Sequence, residues 1–483
     1  MTVLFNECIE QGVWADFMKV ESVTPVPKVG HPKTLNDLRK ISGLLNISKI
    51  LEKVIVKYLV QDIKVALDKS QYANQEGQSI NHYLVFMIDT ILKALDGSTG
   101  GQHNAVIMSL IDWSKAFDRQ DATLAVKSFQ DNGVRPCLIP LLISFFEGRV
   151  MAVRWHGASL GIWSFLSQTN DNPEDTEGDN IYKFVDDKSV LELVNLVSIG
   201  MASHNPRIKV PSDIPASNLF IPSDNLKTQK YMKNLETWTK NKQMRLNEKK
   251  TQNIIFNFTK NSQFSTNIKL NEEKVETVTE TKLLGTVITN DLSWGRNTSK
   301  IVKDSNLRMQ FLHKSAKFTN NVKDLKQIYI SQVRSKLEQS AVVWHNGLTK
   351  RNVNDIERVQ KSALRVILKH NYTTYQDALV TLGMQSLKER RDELCLKFAK
   401  GCLRIEKFKK YFPLNSKLHT MPTRYCEKYA LGKKSSERYA RSALPSMIRL
   451  LNDNDKKKKE LTKSVSNFVV PMNYGTCMSP SLC

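Results

Sequence analysis

A chain of 483 residues with 41% apolar side chains is long enough for several domains and a substantial core, and its lack of any apolar run of about 18 residues excludes an ordinary membrane-spanning helix. Seven scattered cysteines with no C-x-x-C pair, behind an N-terminus (Met1-Thr2-Val3-Leu4-Phe5) without the basic-then-apolar layout of a secretory signal, point to a reducing intracellular setting, cytoplasm or nucleus. The net charge of +23 is concentrated, with 36 Lys and Arg against 15 Asp and Glu in residues 301–483 and a near balance of 35 against 33 in residues 1–300. That distribution is what a nucleic-acid grip beside a charge-balanced body would show, although a merely soluble basic helical region gives the same count.

Residues 1–50 read as a loop-rich start, with a β-like stretch at Val23–Lys28 broken by Pro25 and Pro27. Residues 46–66 space Ile50, Leu51, Val54, Ile55, Tyr58 and Leu59 at helical intervals, and a second helix is predicted over about 79–96. Residues 105–112 form a continuous apolar run ending in Asp112, the pattern of a strand buried on both faces. Residues 120–150 look helical, interrupted at Asn132-Gly133 and Pro136. Residues 167–180 are acidic and turn-rich, predicting an exposed loop, and the four-proline stretch 205–225 predicts irregular structure. Lys227–Asn247 reads as a helix with Tyr231, Leu235 and Trp238 on one face, and Thr251–Phe258 and Thr281–Thr289 as two strands. From 298 to about 410 the pattern is mostly helical. Lys456–Lys459 opens a polar tail expected to be disordered. No internal repeat is visible. Cys395, Cys402, His419 and Cys426 can be drawn as a zinc site, but their spacing matches no ordinary zinc module.

Two acidic clusters carry the chemistry. Ile111-Asp112-Trp113-Ser114-Lys115-Ala116-Phe117-Asp118 and Lys183-Phe184-Val185-Asp186-Asp187 each end an apolar run in carboxylates, and such groups are not buried without a counter-charge. A pair of divalent metals is one such counter-charge. Mg²⁺ prefers carboxylate oxygens, and two ions about 4 Å apart need ligands from more than one segment. Asp112 and the Asp186-Asp187 pair supply them. Successive strand side chains face opposite ways, so the Asp pair serves one site only at a turn, which predicts a hairpin. Each cluster alone is a weak signal, since an isolated Asp-Asp is usually a solvated turn.

Taken with their flanks, D-W-S-K-A-F-D and, 74 residues after Asp112, F-V-D-D resemble motifs A and C of reverse transcriptases, nearest to the non-LTR retrotransposon branch. The resemblance covers about residues 13–452. Upstream, Pro25-Val26-Pro27-Lys28, Leu38-Arg39-Lys40-Ile41-Ser42, Ser48-Lys49-Ile50-Leu51-Glu52-Lys53 and Gln71-Tyr72-Ala73-Asn74-Gln75 resemble fingers segments, with Lys40 where the family has Pro and Ala73 where it has Gly. Downstream, Leu246–Thr251 resembles motif D. Lys282–Ile288 with Asp291–Trp294 resembles motif E. Segments around Tyr329, 334–340, Trp344, 356–365 and 438–445 resemble the thumb.

The resemblance implies an α/β (α+β) right-hand polymerase fold with fingers, palm and an α-helical thumb: a lead at 1–12, fingers and palm at 13–297, a basic helical thumb and connection at 298–452 and a basic tail at 453–483. It implies two Mg²⁺ or Mn²⁺ ions on Asp112, Asp186 and Asp187, and nucleotide contacts from Lys28, Arg39, Phe117 and Lys250. Phe117 would pack under the sugar, and Lys250 would serve as acid for the leaving group. Leu284, Gly285 and Trp294 would form the primer grip. Asp118 reads as structural. The implied partners are an RNA template, a DNA primer and dNTPs, with no membrane; oligomeric state is not readable. One departure is large. Between the clusters, Arg154-Trp155-His156-Gly157 runs directly into Ala158-Ser159-Leu160-Gly161 without the Gly-rich motif B turn that supports template and nucleotide, as a deletion there would leave it. Lys188 also stands where the family has an apolar residue, and no endonuclease segment before residue 13 or zinc knuckle after the thumb is seen, as in a truncated copy. The sequence therefore carries three readings: an RNA-directed DNA polymerase, a catalytically silent remnant that binds nucleic acid through its basic C-terminal region, and a partner-binding scaffold.

Overall fold

The structure, a computed structural model, describes residues 1–34, 37–96, 104–114, 121–152, 181–195, 218–221, 226–258, 263–417, 428–431 and 436–468. It is a mixed α/β protein of two units, Met1–Leu292 and Ser293–Cys483.

In the first unit, helices α1 (Thr2–Gln11), α2 (Asn46–Ile63), α3 (Ile80–Asp96), α4 (Ala122–Asp131), α5 (Ile139–Phe146) and α6 (Lys227–Asn241) accompany fourteen strands among the described residues. The first two, β1 (Val20–Pro27) and β2 (Leu38–Gly43), pair antiparallel, with the short β4 (Val150–Ala152) added parallel on β1. The two prolines of β1 do not break it. Pro25 and Pro27 lie in the half of β1 beyond the three residues paired with β4, where a missing N–H is tolerated. Helix α2 buries Leu51, Ile55, Leu59 and Ile63, a strict i, i+4 stripe. That stripe joins Trp14, Phe129, Leu141 and Phe145 in one core.

The main sheet has the order β12-β8-β3-β6-β5, built from β3 (Asn104–Ile111), β5 (Ile181–Phe184), β6 (Asp187–Asn195), β8 (Gln252–Asn257) and β12 (Glu276–Val278). Strand β3 lies at its centre, antiparallel to both β6 and β8. Its unbroken apolar run is explained by cover on both sides. Ala105, Ile107, Ile111 and Trp113 face a core completed by Tyr231, Met232 and Leu235 of α6. On the other side lies α3, eleven of whose seventeen residues are buried; its Tyr83 hydroxyl is 2.6 Å from the Ser189 hydroxyl of β6.

Several sequence expectations are corrected. Helix α6 stops at Asn241, short of the predicted 247. The helical stretch expected to reach residue 150 ends at Phe146, and Val150 opens the short strand β4. Within the stretch predicted irregular, Asn218–Ile221 is a strand, β7, paired parallel with β9 (Gln263–Thr266). Short strands β10 (Lys269–Leu270) and β11 (Glu273–Lys274) precede β12. Residues 281–289 are two strands, β13 (Glu280–Leu283) and β14 (Thr286–Thr289), folded back on each other. The predicted loop at 167–180 lies outside the described residues.

The second unit is helical. Its longer helices are α7 (Gly295–Phe318), α8 (Lys350–Leu368), α9 (Leu387–Cys402) and α10 (Ala443–Phe468). A six-residue π-helical stretch, Tyr329–Arg334, lies between α7 and α8. Helix α8 turns Ile356, Val359, Ala363, Leu364 and Ile367 inward. Its buried Glu357 accepts hydrogen bonds from the amides of Leu387 and Lys388 at the start of α9 and from the Tyr375 hydroxyl, so its charge is fully engaged. Ser386 and Glu389 close a capping box on α9. Helix α10 runs straight through Lys456–Lys459 to Phe468, where a disordered tail was expected. Lysine is a good helix former, so the run does not by itself end a helix that enters from Ala443. Among the described residues no helix is long and apolar enough to cross a membrane.

Candidate active site

Asp112 follows the last residue of β3. Its neighbours Ile111 and Trp113 point into the α6 core, so alternation sends Asp112 to the opposite face. Strand β6 runs antiparallel beside β3 with Ile111 across from Lys188. Continued by one residue, that register sets Asp112 opposite Asp187. The β5–β6 connection is the expected hairpin: Phe184 pairs with Asp187, leaving a two-residue turn of Val185 and Asp186. Val185 has φ +58°, a left-handed conformation that a β-branched residue adopts only under constraint.

The Asp186-Asp187 pair feels the Asp112 charge. Burial, followed by repulsion from Asp186 and Asp112, pushes the Asp187 carboxyl up to about 6. Burial and then Asp112 push Asp186 up, against the opposing charge of Lys250. Lys250 lies with its ammonium 3.5 Å from Asp112 Oδ2. That oxygen is shielded from solvent and accepts no hydrogen bond, while the Asp112 side chain as a whole keeps 31% exposure and that of Lys250 70%. Among the described residues no three His, Cys, Asp or Glu side chains are drawn close enough to hold one ion as they stand. Like-charged carboxylates with only one ammonium between them have no reason to close further. Oxygen donors of this kind, with a shielded oxygen lacking a donor, nevertheless suit Mg²⁺ or Mn²⁺.

The backbone around Asp112 is tightly stitched. The Asn247 amide donates to the Asp112 carbonyl at 2.8 Å and the Ser114 amide to the Arg245 carbonyl at 2.8 Å. The Asp112 amide donates to Thr251 Oγ1 at 3.3 Å. Residues 245–251, which carry Lys250, are thereby fixed to the same strand end as Asp112.

A second set of residues clamps the Asp186-Asp187 hairpin, and sequence reasoning missed its role. Segment 70–72 adds to the edge of β5: the Lys183 amide donates to the Ser70 carbonyl, and the Tyr72 amide to the Lys183 carbonyl. The buried Gln71 side chain accepts, through Oε1, from the amides of Tyr72, Ala73 and Val185 at 3.1, 3.0 and 3.2 Å. It therefore holds the strained turn residue directly. The Lys183 ammonium pairs with Asp68, both side chains 5–6% exposed. Burial works to raise the Asp68 pKa, but the Lys183 charge and hydrogen bonds outweigh it and leave the carboxyl below its ordinary value. Gln71 stands in a segment noted for its resemblance to the fingers; nothing in the sequence marks Asp68.

The remaining candidates are more dispersed. Lys28 and Arg39 are both exposed on the β1–β2 hairpin, in a sheet separate from the one bearing the carboxylates. Leu284 and Gly285, with φ of +47° and +87°, form the β13–β14 turn, a pattern in which glycine at the second position avoids a Cβ clash. Trp294 is buried, 7% exposed, in the second unit. A Cβ on Gly347 would sit 2.6 Å from its indole nitrogen, so the ring is packed against backbone. Lys188 is buried, its ammonium 4.8 Å from the centre of the Tyr231 ring. Cys395 and Cys402 are core residues whose thiols burial pushes up to about 12, unlike the thiolates a zinc ion needs. Phe117, Asp118, His419, Cys426 and the whole junction at Gly157-Ala158 lie outside the described residues.

No protein-family model and no curated protein matches the chain. Among solved structures it is similar to apo telomerase from Candida tropicalis, at 11% identity and a TM-score of 0.36 over 94% of this chain and 68% of that one. It is also similar to telomerase from Candida albicans in complex with a fragment of telomeric RNA, at 10% identity and a TM-score of 0.34 over 98% and 68%. Likeness at this level assigns neither family nor fold.

Proposed function

We propose that the chain is an RNA-directed DNA polymerase of the non-LTR retrotransposon kind, with the first unit as fingers and palm and the second as an α-helical thumb. The observation that carries this reading is the placement of Asp112 at the end of β3, across the β3–β6 register from the Asp186-Asp187 turn, where burial and neighbouring carboxylates raise the pKa values of Asp186 and Asp187. Isolated solvated aspartates show no such rise. Two Mg²⁺ or Mn²⁺ ions held by these carboxylates would supply activation of the primer 3′-hydroxyl and neutralisation of the triphosphate. The chain's own contribution is positional. Asp112 is fixed by its backbone bonds to Asn247 and Thr251, and the Asp pair by Gln71 and Lys183. Lys28 and Arg39 would meet the triphosphate, Phe117 the sugar, and Leu284, Gly285 and Trp294 the primer side. The basic second unit would track template and primer phosphates.

The test is primer extension by the full chain on an RNA template with a DNA primer, dNTPs and Mg²⁺ or Mn²⁺. Extension should fall by about 10²-fold or more in Asp112→Asn and Asp186→Asn. The direct Gly157-Ala158 junction favours a second reading, a remnant that binds nucleic acid without copying it. Binding to primer–template with a steep salt dependence and no incorporation of any dNTP would establish the second reading and refute the first.

A further inference from the structure

We infer that Lys250 is a resident counter-cation of the carboxylate site, held on Asp112 when no metal is bound and exchanged for the divalent ion when one arrives. The inference rests on the metal-binding reading proposed above and adds a regulation of that site.

The geometry separates a fixed anchor from a movable charge. The main chain of residues 247–251 cannot drift from Asp112, because Asn247 donates to the Asp112 carbonyl and the Asp112 amide donates to Thr251. Lys250 sits on that turn, its own amide bonded to the Asn247 carbonyl at 3.2 Å. Its side chain, by contrast, is 70% exposed and ends 3.5 Å from Asp112 Oδ2. The oxygen it approaches is the shielded one with no hydrogen-bond donor, which is the oxygen a cation would claim. An ammonium and a divalent ion on the same carboxylate repel each other, so occupancy by one disfavours the other. A flexible four-carbon stem on a rigid turn lets the ammonium leave without moving the backbone. Once displaced, it is free to meet an incoming phosphate. Lys249, the preceding residue and equally exposed, carries the same charge but makes no such pair, and so serves as an internal control.

The experiment is Mn²⁺ binding to the full chain by titration calorimetry, with neither nucleotide nor nucleic acid present. Lys250→Gln should bind Mn²⁺ about two- to fivefold more tightly than the wild type, the range of a half-exposed ion pair. Lys250→Arg, which keeps the cation, and Lys249→Gln should both match the wild type, and Asp112→Asn should bind more weakly. If Asp112→Asn binds Mn²⁺ like the wild type, the carboxylate reading fails and this inference with it. If Asp112→Asn is weakened but Lys250→Gln is no tighter than the wild type, or Lys249→Gln tightens as much as Lys250→Gln, the exchange alone is refuted.

Discussion

Asp68→Asn should loosen the hairpin that carries Asp186 and Asp187, although Asp68 lies far from them in sequence. The substitution keeps the shape of the side chain and removes its charge, leaving the Lys183 ammonium, whose side chain is 5% exposed, without its counter-ion. Breaking a buried pair in this way costs about 3–5 kcal/mol, chiefly the desolvation of the charge left behind. The chain has two units and need not unfold in one step, so the local readout is amide hydrogen exchange of residues 181–195. A loss of that size accelerates exchange of the β5–β6 amides by about 10²- to 10^3.5-fold. Replacing both partners, Asp68→Asn with Lys183→Met, should recover more than half of the loss, because no unpaired charge remains. The pH dependence has a fixed sign. The folded pKa of Asp68 lies below its ordinary 3.8, so the pair's stabilisation is complete above that value and disappears as pH falls through the lower folded value. The gap between wild type and Asp68→Asn should be full at pH 7 and close at low pH. An Asp68→Asn chain with unchanged exchange at pH 7, or a double variant as loose as the single, would refute the assignment of Asp68 as the clamp.

Two further substitutions test packing and strain. Gly347→Ala places a methyl 2.6 Å from the Trp294 indole nitrogen, inside contact distance of a buried ring, and should destabilise the second unit by about 1–3 kcal/mol; the urea midpoint of the helical signal reads it. Val185→Gly relieves a φ of +58° at which a β-branched residue is strained, and should slow exchange of the 181–195 amides by an amount equivalent to about 0.5–1 kcal/mol after glycine's own entropic cost.

Elements with strong local pattern were legible in the sequence. Helices α2 and α3, strand β3 and the β5–β6 hairpin each follow from a repeat or an apolar run read against the physics of burial. The misreadings have a common cause. The strand that Val150 opens, and the strand Asn218–Ile221 in a stretch expected to be irregular, are three and four residues long and exist because a distant partner is there to pair with, β1 and β9 respectively, and no window of local sequence contains that partner. Lys456–Lys459 was read by charge alone, when the helix that enters from Ala443 supplies the nucleus that a lysine run lacks by itself. The site divides in the same way. Its carboxylates were visible as acids closing apolar runs. That Asp112 stands across from Asp187 depends on the β3–β6 register, and the roles of Asp68 and Gln71 depend on segment 70–72 joining the edge of β5.

These clamps also explain how such a cluster persists in a folded chain. Bringing Asp187 near Asp186 and Asp112 in half-buried surroundings works against folding, as the raised Asp187 pKa records, and the left-handed Val185 adds strain at the same turn. Neither would survive on a hairpin held only by its own ladder, since an isolated two-stranded hairpin is marginal in water. Beyond the β3–β6 ladder, the opposing interactions from outside the hairpin are the Gln71 carbonyl on the Val185 amide, Asp68 on Lys183, and Lys250 on Asp112. Two of these three contacts involve a charge whose partner lies in another segment. Interactions from segment 68–72 and from residues 245–251 thus offset the cost of placing Asp112 opposite the Asp186-Asp187 turn, a cost that a cation bound as proposed above would relieve.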